Sequence, residues 1–178
     1  IFWGGTVSGP LLHAAAAVAL AWAALPLIGR TGAVLAAIAT ITQFGIMSYG
    51  TLFRGDHHIV YVLITARGLG FAIRALDRDR AGDRSALFAG LAAAAGIWIG
   101  VEGLAFAFLS LAALGLAWLS GQENPHAAKG LRFTVGLTAG LAGMLAVESG
   151  PSFLVAEYDF ISIVHLVLAA MVMSFFLA

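Results

Sequence analysis

Cysteine is absent from this 178-residue chain, which excludes a disulfide framework, a thiolate nucleophile and a zinc–thiolate centre. Charge is almost as scarce. Nine Lys and Arg against nine Asp and Glu amount to 10% of the residues and a formal net charge of zero, so no global field attracts a polyanion and no nucleic-acid partner is expected. There is no Gly-rich phosphate loop following a strand and no nucleophile elbow,.

What fills the chain instead is apolar. Hydrophobic residues make up 61% of it, well above the roughly half found in soluble domains. Its 22 glycines and its alanine runs, such as Ala14 to Ala17 and Ala92 to Ala95, let helix backbones approach closely where lipid supplies no hydrophobic drive. Barrel strands would alternate polar and apolar residues, and these runs do not. The expectation is an all-α, polytopic transmembrane helical bundle, with membrane lipids as its first partners. The whole of 1–178 reads as a single transmembrane helical domain. The start at Ile1-Phe2-Trp3 and the end inside the apolar run Met171 to Ala178 suggest an internal piece of a longer protein.

Gly, Pro and charged breaks divide the chain into about seven spans: Leu11–Ile28, Ala33–Tyr49, Ile59–Leu76, Leu87–Ile99, Leu104–Leu119, Leu131–Val147 and Ile161–Ala178,. Ser85 to Ser120 could also be one long helix. Two glycines around a carboxylate, Gly100-Val101-Glu102-Gly103, favour a hairpin instead, since a mid-bilayer charge and a glycine pair are both costly inside a helix.

If the seven spans alternate, Arg30, the Asp77–Arg84 loop, Lys129 and Arg132 fall on one side, which the positive-inside rule makes cytoplasmic,. The opposite, periplasmic side receives Asp56, Glu102, Glu148, Glu157 and Asp159, with Arg54 as its sole cation outside a span. Acidic residues are common on that side of membrane proteins in general. The glycines on both sides of Glu102 are a more particular feature.

The densest polar cluster is Arg54-Gly55-Asp56-His57-His58, at the entrance to the third span. A carboxylate beside imidazoles offers oxygen and nitrogen ligands for Mg, Mn or Zn, and carboxylates from other loops would complete the shell. The same residues also suit a plain helix start, with Asp56 next to the positive end of the helix dipole.

These residues, together with Trp98-Ile99-Gly100-Val101-Glu102-Gly103-Leu104 and Val155-Ala156-Glu157-Tyr158-Asp159-Phe160-Ile161-Ser162-Ile163-Val164-His165, resemble a bacterial branch of the C-type, polyprenyl-phosphate-dependent glycosyltransferases. More distantly they resemble the catalytic subunit of oligosaccharyltransferases. The resemblance covers most of this chain but only the middle of such a family member. It implies a bacterial inner-membrane enzyme that uses a lipid-linked sugar at the periplasmic face. Asp56 and His58 would approach a divalent metal, Mg or Mn, while His57 and Arg54 would meet the sugar phosphate. Asp56 and Glu102 would be the catalytic carboxylates. The family also carries an acidic residue in its first outer loop, and Ile1 to Pro10 contain none.

Arg67, near the middle of the third span, costs about 3 kcal/mol or more if left unpaired in a bilayer. It is therefore expected to face the bundle interior or a wet cavity, holding a carboxylate or a lipid phosphate. His13 and His165 lie in spans without the paired spacing of a haem site, so pigment or haem ligation is not expected. The rival reading is a non-catalytic membrane subunit of a larger energy-converting or pigment-bearing complex. A transporter is disfavoured because no inverted repeat emerges.

Overall fold

The computed structural model describes residues 2–51, 57–77, 84–120, 125–150, 154–157 and 159–177. Arg54 and Asp56, the centre of the Asp77–Arg84 loop, and Tyr158 lie outside them. The described residues form seven helices and no strand: α1 Phe2–Thr42, α2 Phe44–Tyr49, α3 His57–Ala75, α4 Ser85–Ile99, α5 Gly103–Leu119, α6 Pro125–Ser149 and α7 Ile163–Leu177. Three helical stretches are long and apolar enough to cross a membrane, Val7–Thr42, His57–Ala75 and His126–Ser149, while α4, α5 and α7 are apolar but shorter. The chain is an all-α, membrane-associated protein, and it divides into two compact units, Ile1–Gly70 and Phe71–Ala178.

In the first unit, α1 is two helical arms joined at Gly29, whose φ of 66° and ψ of −173° suit glycine alone,. The chain doubles back there. His13 Nε2 lies 3.2 Å from the carbonyl oxygen of Thr40, whereas 27 residues of straight helix would separate them by ~40 Å. This break matches the one expected between the first two spans. The second span, however, is not continuous to Tyr49. Gln43 leaves the helix with an extended backbone, and its side chain accepts a hydrogen bond from the Ile46 amide, starting α2 afresh. Thr40 and Thr42 donate their hydroxyls to carbonyls within their own arm, so the polar residues approaching this break are satisfied locally.

In the second unit, α4 to α7 run up and down in turn. Gly100 closes α4 and Gly103 opens α5 after a tight turn, so the hairpin, not the single long helix, is formed. α4 packs most extensively on α6, and α6 on α7. The cause is small residues. A Cβ at Gly90 would stand 2.0 Å from the Phe133 carbonyl oxygen, and one at Gly136 would stand 2.3 Å from that of Leu87. Ala89, Ala93, Phe133, Leu137 and Leu141 fill the seam and are fully or almost fully buried. Phe108, Leu109, Leu116, Val147 and Met171 are exposed, as expected of surfaces that face lipid.

The two ends of this bundle differ in charge. One joins the end of α4, the start of α5, the end of α6 and the start of α7, and its connecting sequence carries Glu102, Glu148, Glu157 and Asp159 with no Lys or Arg. Lys129 and Arg132 sit in the first turns of α6, at the other end. There Lys129, 1% exposed, donates through Nζ to the Asp77 carbonyl just beyond α3, a favourable place for a cation. Trp118 packs against Phe175 and Phe176 at this end too.

Candidate functional site at the acidic end of the second unit

Trp98, in the last turn of α4, donates from its indole Nε1 to Glu148 Oε2 at the end of α6, at 3.2 Å. Parallel α4 and α6 bring these side chains together although 50 residues separate them. Beside the pair opens a cavity of about 370 Å³, lined by Trp98, Glu148, Ser149, Val155, Glu157, Phe160 and Ile161. Two carboxylates and two aromatic rings therefore share one hollow. Its volume falls within the range of small-ligand pockets.

A local cap fixes the segment that carries Glu157. Ser162 immediately precedes α7 and donates its hydroxyl to the Glu157 carbonyl at 2.6 Å. Three residues on, His165 Nδ1 accepts from the Ser162 amide at 3.2 Å. His165 thus caps the Ser162 amide as the Glu or Gln of a capping box does, while the Ser162 hydroxyl turns back to Glu157 instead of capping the helix,. Ser162 and His165 are both buried, at 2% and 6% exposure, so the anchor is firm while the Glu157 side chain stays exposed.

Glu102, expected as a catalytic carboxylate, is exposed and is not among the residues lining this cavity. Its Oε2 folds over Gly100, where an added Cβ would meet it at 2.3 Å. A Cβ at Gly103 would lie 2.3 Å from the Gly96 carbonyl carbon. The close hairpin turn thus explains Gly103, whereas at Gly100 the near atom belongs to the flexible Glu102 side chain.

In the first unit, the His57 and His58 rings lie with centroids 4.2 Å apart and planes tilted by 34°. His58 also stacks on Tyr49 at 4.9 Å and 15°. The Tyr49 ring therefore covers one face of His58, and the His57 ring lies tilted against it. Among the described residues no group of three or more His, Asp or Glu could hold a metal. Asp56 and Arg54, the other members of that expected set, fall outside the description. The described side chains alone do not make a divalent-ion site.

Arg67 has an exposed side chain, and its guanidinium carbon lies 5.5 Å from the centre of the Trp22 ring. The partner expected for it was a carboxylate or phosphate in an interior or wet setting. The one seen is an indole face, which attracts a cation through its quadrupole.

The sequence puts Glu148 and Glu157 on the acidic side and gives them no role. Nothing in spacing alone joins Trp98 to Glu148, and that pairing is what turns scattered loop acids into a lined cavity. No protein-family model, curated protein or solved structure matches this chain.

Proposed function

We propose that this is a membrane glycosyltransferase-like protein of a bacterial inner membrane, taking a lipid-linked sugar at its periplasmic face, with the acidic cavity as the sugar or acceptor pocket. One observation carries the reading: Trp98, Glu148, Glu157 and Phe160 line a single cavity at the end of the bundle without basic residues. Carboxylates accept hydrogen bonds from several hydroxyls at once, and aromatic rings offer an apolar face to the C–H side of a sugar ring. The Lys129 and Arg132 end is cytoplasmic by the positive-inside rule, which turns the cavity outward.

In this reading Glu148, held by the Trp98 indole, orients a sugar hydroxyl. Glu157, whose carboxylate makes no hydrogen bond among the described residues, takes the proton from the acceptor hydroxyl as it attacks the sugar's anomeric carbon. The sugar–phosphate bond breaks, and the polyprenyl phosphate leaves with the electron pair. For the first unit, taken by itself, Arg54, Arg67 and His57 are proposed phosphate contacts and Asp56 and His58 proposed ligands of a divalent ion. No step is routed through that ion.

The test uses the full protein in proteoliposomes with a polyprenyl phosphate carrying a radiolabelled hexose. Release or transfer of label is expected, and Glu157→Gln is expected to lower it at least a hundredfold, in the range of a lost general base. An intact donor after long incubation with the wild-type protein would sink the reading.

The rival is a membrane subunit of a larger energy-converting or pigment-bearing complex that does no chemistry itself. It is favoured by the contact of His58 with both the Tyr49 and the His57 rings, which uses those rings in packing. Its mark would be stoichiometric copurification with other membrane subunits under mild detergent.

A further inference from the structure

We infer that the second unit holds a specific site for a diacyl glycerophospholipid, with His165 donating a hydrogen bond to an ester carbonyl and the acyl chain lying in an apolar groove between α5 and α7. This inference stands apart from the glycosyltransferase reading and uses none of its residues as ligands.

The argument begins with the cap of α7. A backbone N–H can only donate, so the bond from the Ser162 amide makes His165 Nδ1 an acceptor. The ring is then the neutral tautomer with its proton on Nε2. Nε2–H has no hydrogen-bond partner among the described residues, although the side chain is 94% buried by its 6% exposure. The donor is not among the fully buried unpartnered atoms, so it keeps a small accessible surface where an acceptor from outside the protein can reach it. It belongs to the lining of a second cavity, of about 360 Å³, whose other walls are apolar, among them Leu104, Ala107, Phe108, Leu168 and Val172. His165 is the sole polar residue of that lining. A protonated Nε2 suits an acceptor oxygen and does not suit a metal ion.

The shape then selects among acceptors. From Leu104 to Leu111 on α5, and from His165 to Val172 on α7, the lining runs seven residues, or ~10 Å at the helical rise,. The donor sits in the first turn of α7, at the acidic end, and the aliphatic walls lead from it toward the middle of the bundle. That order matches a glycerolipid, with its carbonyl at the level of the helix ends and its acyl chain below. Leu104, Phe108 and Leu168 on the rim are exposed, so the groove opens sideways to lipid. Four carboxylates and no Lys or Arg in the connections of that end favour a headgroup bearing an ammonium.

The test compares two probes on the full protein in detergent by native mass spectrometry: a diacyl phosphatidylethanolamine and its dialkyl ether counterpart, which lacks both carbonyls. The wild-type protein is expected to hold the diacyl lipid about fivefold more tightly, the equivalent of one hydrogen bond. His165→Phe is expected to bind the two alike, and Ala107→Trp, which fills the groove, to weaken both. A ¹³C-ester carbonyl band shifted to lower frequency in the wild-type complex would report the bond directly. Equal affinity for ester and ether in the wild type overturns the proposal whether or not the variants fold. So does a preference that survives in folded His165→Phe, or tight binding of a quinone that displaces the diacyl lipid.

Discussion

Ser162 does two jobs with two groups: its hydroxyl ties down the Glu157 carbonyl and its amide is capped by His165. Ser162→Ala removes the first and leaves the second, so a loss of about 1 kcal/mol is expected, the usual worth of one side-chain hydrogen bond. Measured as unfolding in mixed detergent micelles, it should come with a fall in any sugar-transfer activity, because Glu157 loses its anchor. Arg67→Leu removes only a guanidinium lying over Trp22. Its stability cost is expected to be ~0.5–1 kcal/mol, and a much larger loss would mean that Arg67 has a stronger partner than the indole. Asp56→Ala asks whether the Asp-His-His cluster holds an ion at all. Manganese binding, followed by electron paramagnetic resonance on the intact protein, is expected to disappear in the variant if Asp56 is a ligand. Unchanged binding would remove Asp56 from that role.

Helix boundaries were legible where glycine and charge coincide. Gly100 and Gly103 around Glu102 marked the α4–α5 hairpin, and Gly29 beside Arg30 marked the reversal in α1. The break at Gln43 was not legible, because glutamine is an ordinary helix former and acts here through a side-chain bond visible only in three dimensions. The His165 cap of α7 was hidden for a similar reason: in an apolar run a lone histidine reads as packing or as a ligand. The α4–α6 seam depends on glycine in a way composition alone only hinted at. Gly136→Leu would push a side chain into the backbone of Leu87, and a destabilisation of about 1–3 kcal/mol is expected from such overpacking. Gly143, with open space around its Cβ position, is the control in the same helix. Gly143→Leu should change stability far less, and if both substitutions cost the same, close backbone approach is not what holds α4 to α6.

The candidate site was partly legible for a reason that concerns the whole chain: charge is so sparse that where it lies carries information. Sequence put Glu102, Glu148, Glu157 and Asp159 on one side, and the fold of the second unit gathers their connections at one end of its bundle. It did not single out Glu148 and Glu157 over Glu102, since pairing with Trp98 requires α4 and α6 to run parallel and in register. The same asymmetry predicts an orientation, and the absence of cysteine makes it directly measurable, because any introduced thiol is the only one in this chain. Ala156 and Ser120 are both exposed and stand at opposite ends of the second unit, the first beside Glu157 and the second at the end of α5. In intact cells whose outer membrane has been opened, Ala156→Cys is expected to react with a membrane-impermeant maleimide, and Ser120→Cys only after the inner membrane is permeabilised. The opposite pattern would invert the proposed orientation and put the acidic cavity in the cytoplasm, out of reach of a periplasmic sugar donor. Equal labelling of both from outside would mean that α5, 17 residues long and ~25 Å at the helical rise, does not cross the bilayer, leaving α4 and α5 as a hairpin dipped in from one face.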